Sequence, residues 1–243
     1  MNYYIDTEFI EGTQNKTFLG FTYIKTKPTI DLISIGIVAE DGREYYAISK
    51  DFNLKEAWNR FDVKPDIENG GTKKVYWIRE NVLKPIWVEK CKEGFSFKNS
   101  PMTPHGIGTL FTYKNFKKLL NIYGKSNSQI AKEIKEFVYD KENVLYNQKN
   151  GGLDSVGDVK SKIEFYGYYS AYDWVVFCQL FGIMMNIPNG FPFYCRDLKQ
   201  IADNIWETTG KETRFKSPKG EHNALVDARW NKDFHSFLTD LCK

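Results

Sequence analysis

Cysteine and histidine are scarce in this chain, four of the first and three of the second in 243 residues. Cys91, Cys178, Cys195 and Cys242 form no CxxC pair, and none stands near a histidine at zinc-finger spacing. That argues against a structural zinc site and for reduced, packed thiols. Long apolar runs are missing too. No stretch approaches the roughly 20 apolar residues of a membrane helix, and residues 1–10 lack a basic leader followed by an apolar run. The expectation is a soluble, cytoplasmic protein with no membrane partner. Net charge is small, +3 from 34 basic and 31 acidic residues. No global positive field gathers polyanions, so any nucleic-acid contact has to be local. Internal repeats and low-complexity tails are absent as well, which removes solenoid and tail-mediated functions.

What is present is enough apolar material for a core. With 42% hydrophobic and 16% aromatic residues, the chain can bury one large domain, and a single domain over residues 1–243 is expected. Residues 2–9 alternate and are rich in Tyr, Ile, Thr and Phe, the pattern of a strand. Thr29 to Glu40 is β-branched and nearly continuously apolar, and Asp41-Gly42 turns it into a further strand at 44–49. Three consecutive strands predict an antiparallel meander.

Helical spacing predicts helices at 53–60 and at 73–90, the second kinked or broken by Pro85. Another is predicted at 126–139, capped by Ser126 or Asn127 and carrying Ile130, Ile134, Phe137 and Val138 as its stripe. A strand at 163–169 leads, with Ser170 as cap, into a helix from Ala171 to about Phe181. Two more helices are predicted at about 197–206 and from Asn223 to Leu241. Residues 91–113 read as an insertion or lid, 145–162 as a loop or hairpin excursion, and 207–221 as a charged loop. Strands first, then helix, strand, helix and a closing helix predict an α/β fold, a mixed sheet flanked by helices in the manner of ribonuclease H.

Asp6 and Glu8 stand two apart on the first predicted strand, so both carboxylates share one face. Adjacent acids among apolar neighbours repel and lose hydration unless a cation neutralises them, and oxygen-preferring Mg²⁺ or Mn²⁺ is the natural one. The plain alternative is an edge strand with both acids in water. Asp173 falls in the first turn of a helix after a strand. It either complements the helix dipole or sits where α/β folds collect ligands. His222 and Asp227 are five residues apart, about 500° around a helix at about 100° per residue. The pair makes sense with His222 on the loop before the helix and Asp227 pointing to the sheet; an exposed histidine and a solvated acid are the alternatives.

The order D-x-E, D, H-x-x-x-x-D, met here as Asp6-Thr7-Glu8, Asp173 and His222 to Asp227, resembles the three motifs of the DEDDh 3′-5′ exonucleases. Four runs are similar, more narrowly, to the bacterial ribonuclease AS family. They are Tyr4 to Glu11, Thr29 to Tyr46, Ala171-Tyr-Asp173 with Cys178-Gln-Leu180, and Ala224-Leu-Val-Asp-Ala-Arg229. The resemblance implies a 3′-5′ exoribonuclease with a ribonuclease H-like fold that acts on single-stranded, adenylate-rich RNA with a free 3′ end. It also implies release of nucleoside 5′-monophosphates and a homodimer. Two Mg²⁺ or Mn²⁺ ions would be held by Asp6, shared between them, and by Glu8, Asp173 and Asp227. His222 would act as general base, a task suited to an imidazole with its ordinary pKa of about 6.5. Phe9 and Trp174 are candidates for stacking on substrate bases, although alternation and the helical stripe also explain both. Residues near 59–77, 88–125 and 146–160 depart from the family as insertions. A DNA exonuclease with the same five residues and a non-catalytic nucleic-acid-binding module on the same fold are the competing readings.

Overall fold

The computed structural model describes residues 1–18, 21–95, 110–139, 144–146, 156–159, 162–218, 220 and 222–243. Two compact units divide the chain: Met1–Glu8, Ser34–Ala47 and Ser126–Lys243 form the first, Phe9–Ile33 and Ile48–Lys125 the second. In chain order the strands are β1 (Asn2–Gly12), β2 (Lys16–Phe18), β3 (Phe21–Ile24), β4 (Thr29–Ala39), β5 (Glu44–Ile48), β6 (Asp62–Pro65), β7 (Thr72–Val75), β8 (Val144–Tyr146), β9 (Val156–Val159), β10 (Glu164–Gly167) and β11 (Arg196–Asp197). The helices are α1 (Leu54–Asn59), α2 (Lys84–Lys92), α3 (Tyr113–Tyr123), α4 (Asn127–Val138), α5 (Ala171–Gln179), α6 (Leu198–Thr209) and α7 (Ala224–Leu241).

A five-stranded mixed sheet runs β11-β10-β1-β4-β5, so the fold is α/β. β1 pairs parallel with β10, and β10 parallel with β11. On the other side the end of β4 meets the start of β1, where Glu40 N donates to Asn2 O at 2.9 Å. β4 and β5 form a hairpin through Gly42, whose φ of +93° suits a residue without a Cβ. Both faces of β1 are covered, which is why its sequence is apolar on consecutive residues. Tyr3 packs against Phe137 and Phe165, while Tyr4 on the opposite face packs against Tyr166 and His235.

α4 covers the Tyr3 face. Ser126 caps it by accepting from Gln129 N, and Ile130, Ile134 and Val138 are buried along one stripe. Tyr3 Oη donates to Val138 O at 3.0 Å, and Tyr45 Oη to Glu133 Oε2 at 2.9 Å. α7 covers the Tyr4 face and is fastened along its length. Asn231 Nδ2 donates to Ile5 O at 2.9 Å, and Lys232 Nζ to Ala39 O at 3.1 Å. Arg229 makes two 2.6 Å bonds to Glu44. At its start α7 lies almost in contact with β4: a Cβ on Gly36 would stand 2.3 Å from Ala224 O.

Four local expectations are corrected. The β1-to-β4 connection is not a simple meander turn, because β2 and β3 pair with each other as a separate two-stranded ribbon. All four residues of β3, Phe21-Thr22-Tyr23-Ile24, are exposed, so its strand-forming run buries no face. Residues 73–75 are not helical: β7 pairs antiparallel with β6, and the helical spacing holds only from Ile78 onward. There the chain winds first as a π-helical turn over Arg79–Leu83 and then as α2, just where Pro85 has no N–H to give to the preceding turn. α3 lies inside the stretch read as insertion; Thr112 caps it, and Phe116, Leu119 and Leu120 bury its inner face. Ser170 stands at the N-cap of α5 but its side chain makes no capping bond. The lid expected at 91–113 falls largely outside the described residues, as does most of 145–162, where β8 and β9 pair antiparallel.

The second unit has its own aromatic core, with Trp87, Leu83 and Phe116 fully buried and Phe111 set against Trp58 at 4.7 Å.

Gly36→Ala forces a methyl into backbone that has no room to move without shifting α7. The expected loss is about 1–3 kcal/mol, typical of overpacking, or roughly 2–12 °C in Tm for a chain of this size. A thermal melt that matches wild type would refute the close approach.

Candidate active site

β1 presents Asp6 and Glu8 on the face that carries Tyr4, two residues apart as the pleat requires. α7 adds Asp227 from its first turn on the same face. Oxygens of these three carboxylates all lie within 4.8 Å of one another. Glu8 is 9% exposed and Asp6 half-buried. Burial raises the pKa of Asp6 well above the usual carboxylate range, with the charges of Asp173, Glu8 and Asp227 adding to it. Glu8 is pushed up to about 8, again by burial first and then by Asp227 and Asp173. A cluster this crowded has two ways to relieve its repulsion, taking up protons or holding a cation. An all-carboxylate donor set is the chemistry of Mg²⁺ and Mn²⁺, so these residues fit such ions.

Asp173 approaches from the opposite side of β1. Thr7, between the two acids, points away from them and donates both its N–H, at 2.8 Å, and its hydroxyl, at 2.6 Å, to Asp173 Oδ1. Burial raises the Asp173 pKa while these two Thr7 bonds pull it down. The three-carboxylate cluster does not include Asp173, yet its charge acts on both Asp6 and Glu8. The turn that delivers it is pinned by Asp197, which accepts from Tyr169 N at 3.3 Å, Ser170 N at 3.1 Å and Lys199 N at 2.8 Å. Tyr169 there has φ +52°, a strained value for a tyrosine that these bonds hold in place.

His222 precedes α7 on a left-handed turn of φ +68°, and its N–H donates to Asp227 Oδ2 at 2.9 Å. Asn223 caps the helix by accepting from Leu225 N and Val226 N. His222, Asp6 and Asp227 line one cavity of about 320 Å³ together with Tyr168, Trp230 and Asn231. The histidine and aspartate therefore meet although they cannot share a helix face.

Neither stacking candidate is among the residues that line this cavity. Trp174 is a core side chain: its ring lies parallel to Phe177 at 4.7 Å and near Phe165 at 5.4 Å, and its indole N–H donates to Phe193 O. Phe9 is half-buried, belongs to the second unit and is not among the residues lining the cavity. Thr7, Tyr168, Trp230 and Asn231 were not singled out from sequence. Trp230 and Asn231 carried a legible signal, standing three and four residues after Asp227 and hence on the same helix face.

No family model matches the chain. Two curated proteins do, each a 3′-5′ exoribonuclease of Mycobacterium tuberculosis from a different strain. Both are 31% identical to this chain over 229 residues, covering 94% of it and 88% of the relative. The chain belongs to their family. Nearly the whole length of the chain takes part in the match.

The raised carboxylates set the pH dependence of the metal-free protein. Glu8 and Asp6 hold their protons above the pH at which they ionise in the unfolded chain. Their contribution to stability is full below about pH 4.5 and is lost as pH rises toward about 8. In EDTA the Tm is expected to fall over that window. Mn²⁺ at a hundredfold excess over Kd adds about 2.7 kcal/mol, or roughly 5–10 °C, at pH 8 and much less at pH 5, where protons compete. Equal Mn²⁺ shifts at both pH values would count against a carboxylate site.

Proposed function

We propose that the protein is a metal-dependent 3′-5′ exoribonuclease of the DEDDh type, similar to ribonuclease AS, which removes 5′-mononucleotides from the free 3′ end of single-stranded RNA. The observation that carries this reading is the convergence of Asp6, Glu8 and Asp227 within 4.8 Å, with His222 on the same cavity. The exoribonuclease names of both relatives support RNA over DNA. A preference for adenylate-rich RNA belongs to the proposal through the likeness to ribonuclease AS.

Asp6, Glu8 and Asp227, with Asp173 at their side, would hold two Mg²⁺ or Mn²⁺ ions. When bound, such a pair supplies charge stabilisation to both the attacking and the leaving oxygen of an in-line displacement. The chain does the rest. His222 takes a proton from the attacking water, and Asp227 keeps the histidine at the cavity through its bond to the His222 N–H. Thr7 holds Asp173 in one rotamer by two bonds to a single oxygen. Asn231 locks α7, and Asp227 with it, against the strand that carries Asp6 and Glu8.

A base contributes to the transition state and little to holding cations. His222→Ala is therefore expected to lower kcat roughly 10²–10⁴-fold, the usual range for general-base catalysis, with Mn²⁺ affinity by calorimetry close to wild type. Loss of metal and activity together would remove His222 from the role of base. Asp6→Asn should abolish hydrolysis while the protein stays folded.

End-labelled linear RNA with a 3′-hydroxyl should yield mononucleotides from the first time point, with none in EDTA, and a circular RNA of the same sequence should remain intact. Cleavage of the circle would refute exonuclease action.

A further inference from the structure

A second and larger cavity, of about 630 Å³, adjoins the first and shares Tyr168 and Trp230 with it. One wall is a single face of α6, where Lys199, Asp203 and Trp206 recur at helical spacing. The facing wall is the loop over residues 212–215, part of the connection that goes on to His222. Its floor is aromatic: Phe215 lies 5.5 Å from Phe234, Trp230 lies 4.9 Å from Phe234, and Tyr168 meets Trp230 edge-on at 5.1 Å.

The charges on this cavity cancel within it. Lys199 pairs with Asp203, and Arg214 lies 3.7 Å from Glu212. Aromatic faces below polar edges suit a flat, largely uncharged ring that carries hydrogen-bonding groups on its rim, which describes a nucleobase. Trp206 is 55% exposed on the same wall, and among the described residues no aromatic ring packs against it. Its face is available for stacking. With the 3′-terminal nucleotide in the catalytic cavity, every other nucleotide of the substrate lies on its 5′ side, and the adjoining cavity is an aromatic-lined space that shares Tyr168 and Trp230 with the catalytic one.

We propose that this cavity is a base-stacking subsite for a nucleotide upstream of the one being released, with Trp206 as its platform. The proposal rests on the exoribonuclease reading and gives that enzyme a means of holding a single strand with little base readout, since every base has a π-face.

The test compares wild type, Trp206→Ala and Trp206→Phe by two measurements. One is the Kd for a fluorescein-labelled octauridylate with Ca²⁺ as the cation, read by anisotropy. The other is kcat/KM with Mn²⁺ for the p-nitrophenyl ester of uridine 5′-phosphate, a substrate with a single nucleotide. Trp206→Ala is expected to weaken octauridylate binding about tenfold, the loss of one base stack, and to leave ester hydrolysis unchanged, and Trp206→Phe should restore most of the binding. Unchanged octauridylate binding in Trp206→Ala, or an equal loss on both substrates, overturns the subsite and leaves the nuclease reading standing. A wild-type protein that binds octauridylate but hydrolyses neither substrate overturns the nuclease reading, while the Trp206→Ala binding result still decides the subsite. No binding by wild type overturns both.

Discussion

The first unit is organised around the repulsion among carboxylates that the fold forces together. Asp6, Glu8 and Asp227 bring their oxygens within 4.8 Å of one another in a half-buried place, and each loses hydration while gaining like-charged neighbours. Left alone, such groups move apart or stay protonated, and the elevated pKa values of Asp6 and Glu8 express the second response. The fold has to prevent the first. The arrangement therefore stores electrostatic free energy that a bound cation would release, so metal affinity and apo-state instability would share one physical origin.

What prevents the acids from separating is a set of contacts made by residues outside the cluster. Asn231 reaches across from α7 to the Ile5 carbonyl, one residue before Asp6. Gly36 gives α7 room to begin directly against β4, where any side chain would clash with the Ala224 carbonyl. On the other face of β1, Thr7 uses its backbone and its hydroxyl on one oxygen of Asp173. Asp197 gathers three backbone N–H groups to shape the turn before α5. The geometry of the acidic cluster is thus set by residues outside it.

The adjoining aromatic cavity follows from the same placement of α7. Because Trp230 lies three residues beyond Asp227, the helix that delivers the acid also delivers a ring to the wall common to both cavities. The loop between α6 and α7 closes both spaces, lining one with residues 212–215 and the other with Ser217, Pro218 and His222.

Much of this was legible in the chain itself. Period-2 alternation put Asp6 and Glu8 on one face, a nearly continuous apolar run marked β4, and helical stripes at Ile130, Ile134 and Val138 announced α4. Those signals are local: the polarity of a side chain and its position in a repeat of 2.0 or 3.6 are carried by a few neighbouring residues. β7 left no such trace, because Thr72, Lys73 and Lys74 are exposed and bury no face. Trp174 shows the converse, since its helical spacing fits a core stripe as well as a substrate contact, and only packing on Phe177 and Phe165 told them apart. The sequence by itself determined which acids exist, on which elements and facing which way, and so the α/β architecture and the class of ion they suit. Tertiary structure alone decided that Asp227 meets Asp6 and Glu8, that Thr7 takes hold of Asp173, and that Tyr168 and Trp230 join two cavities. Those contacts span dozens to more than two hundred residues of chain, and no local periodicity encodes a distance of that kind.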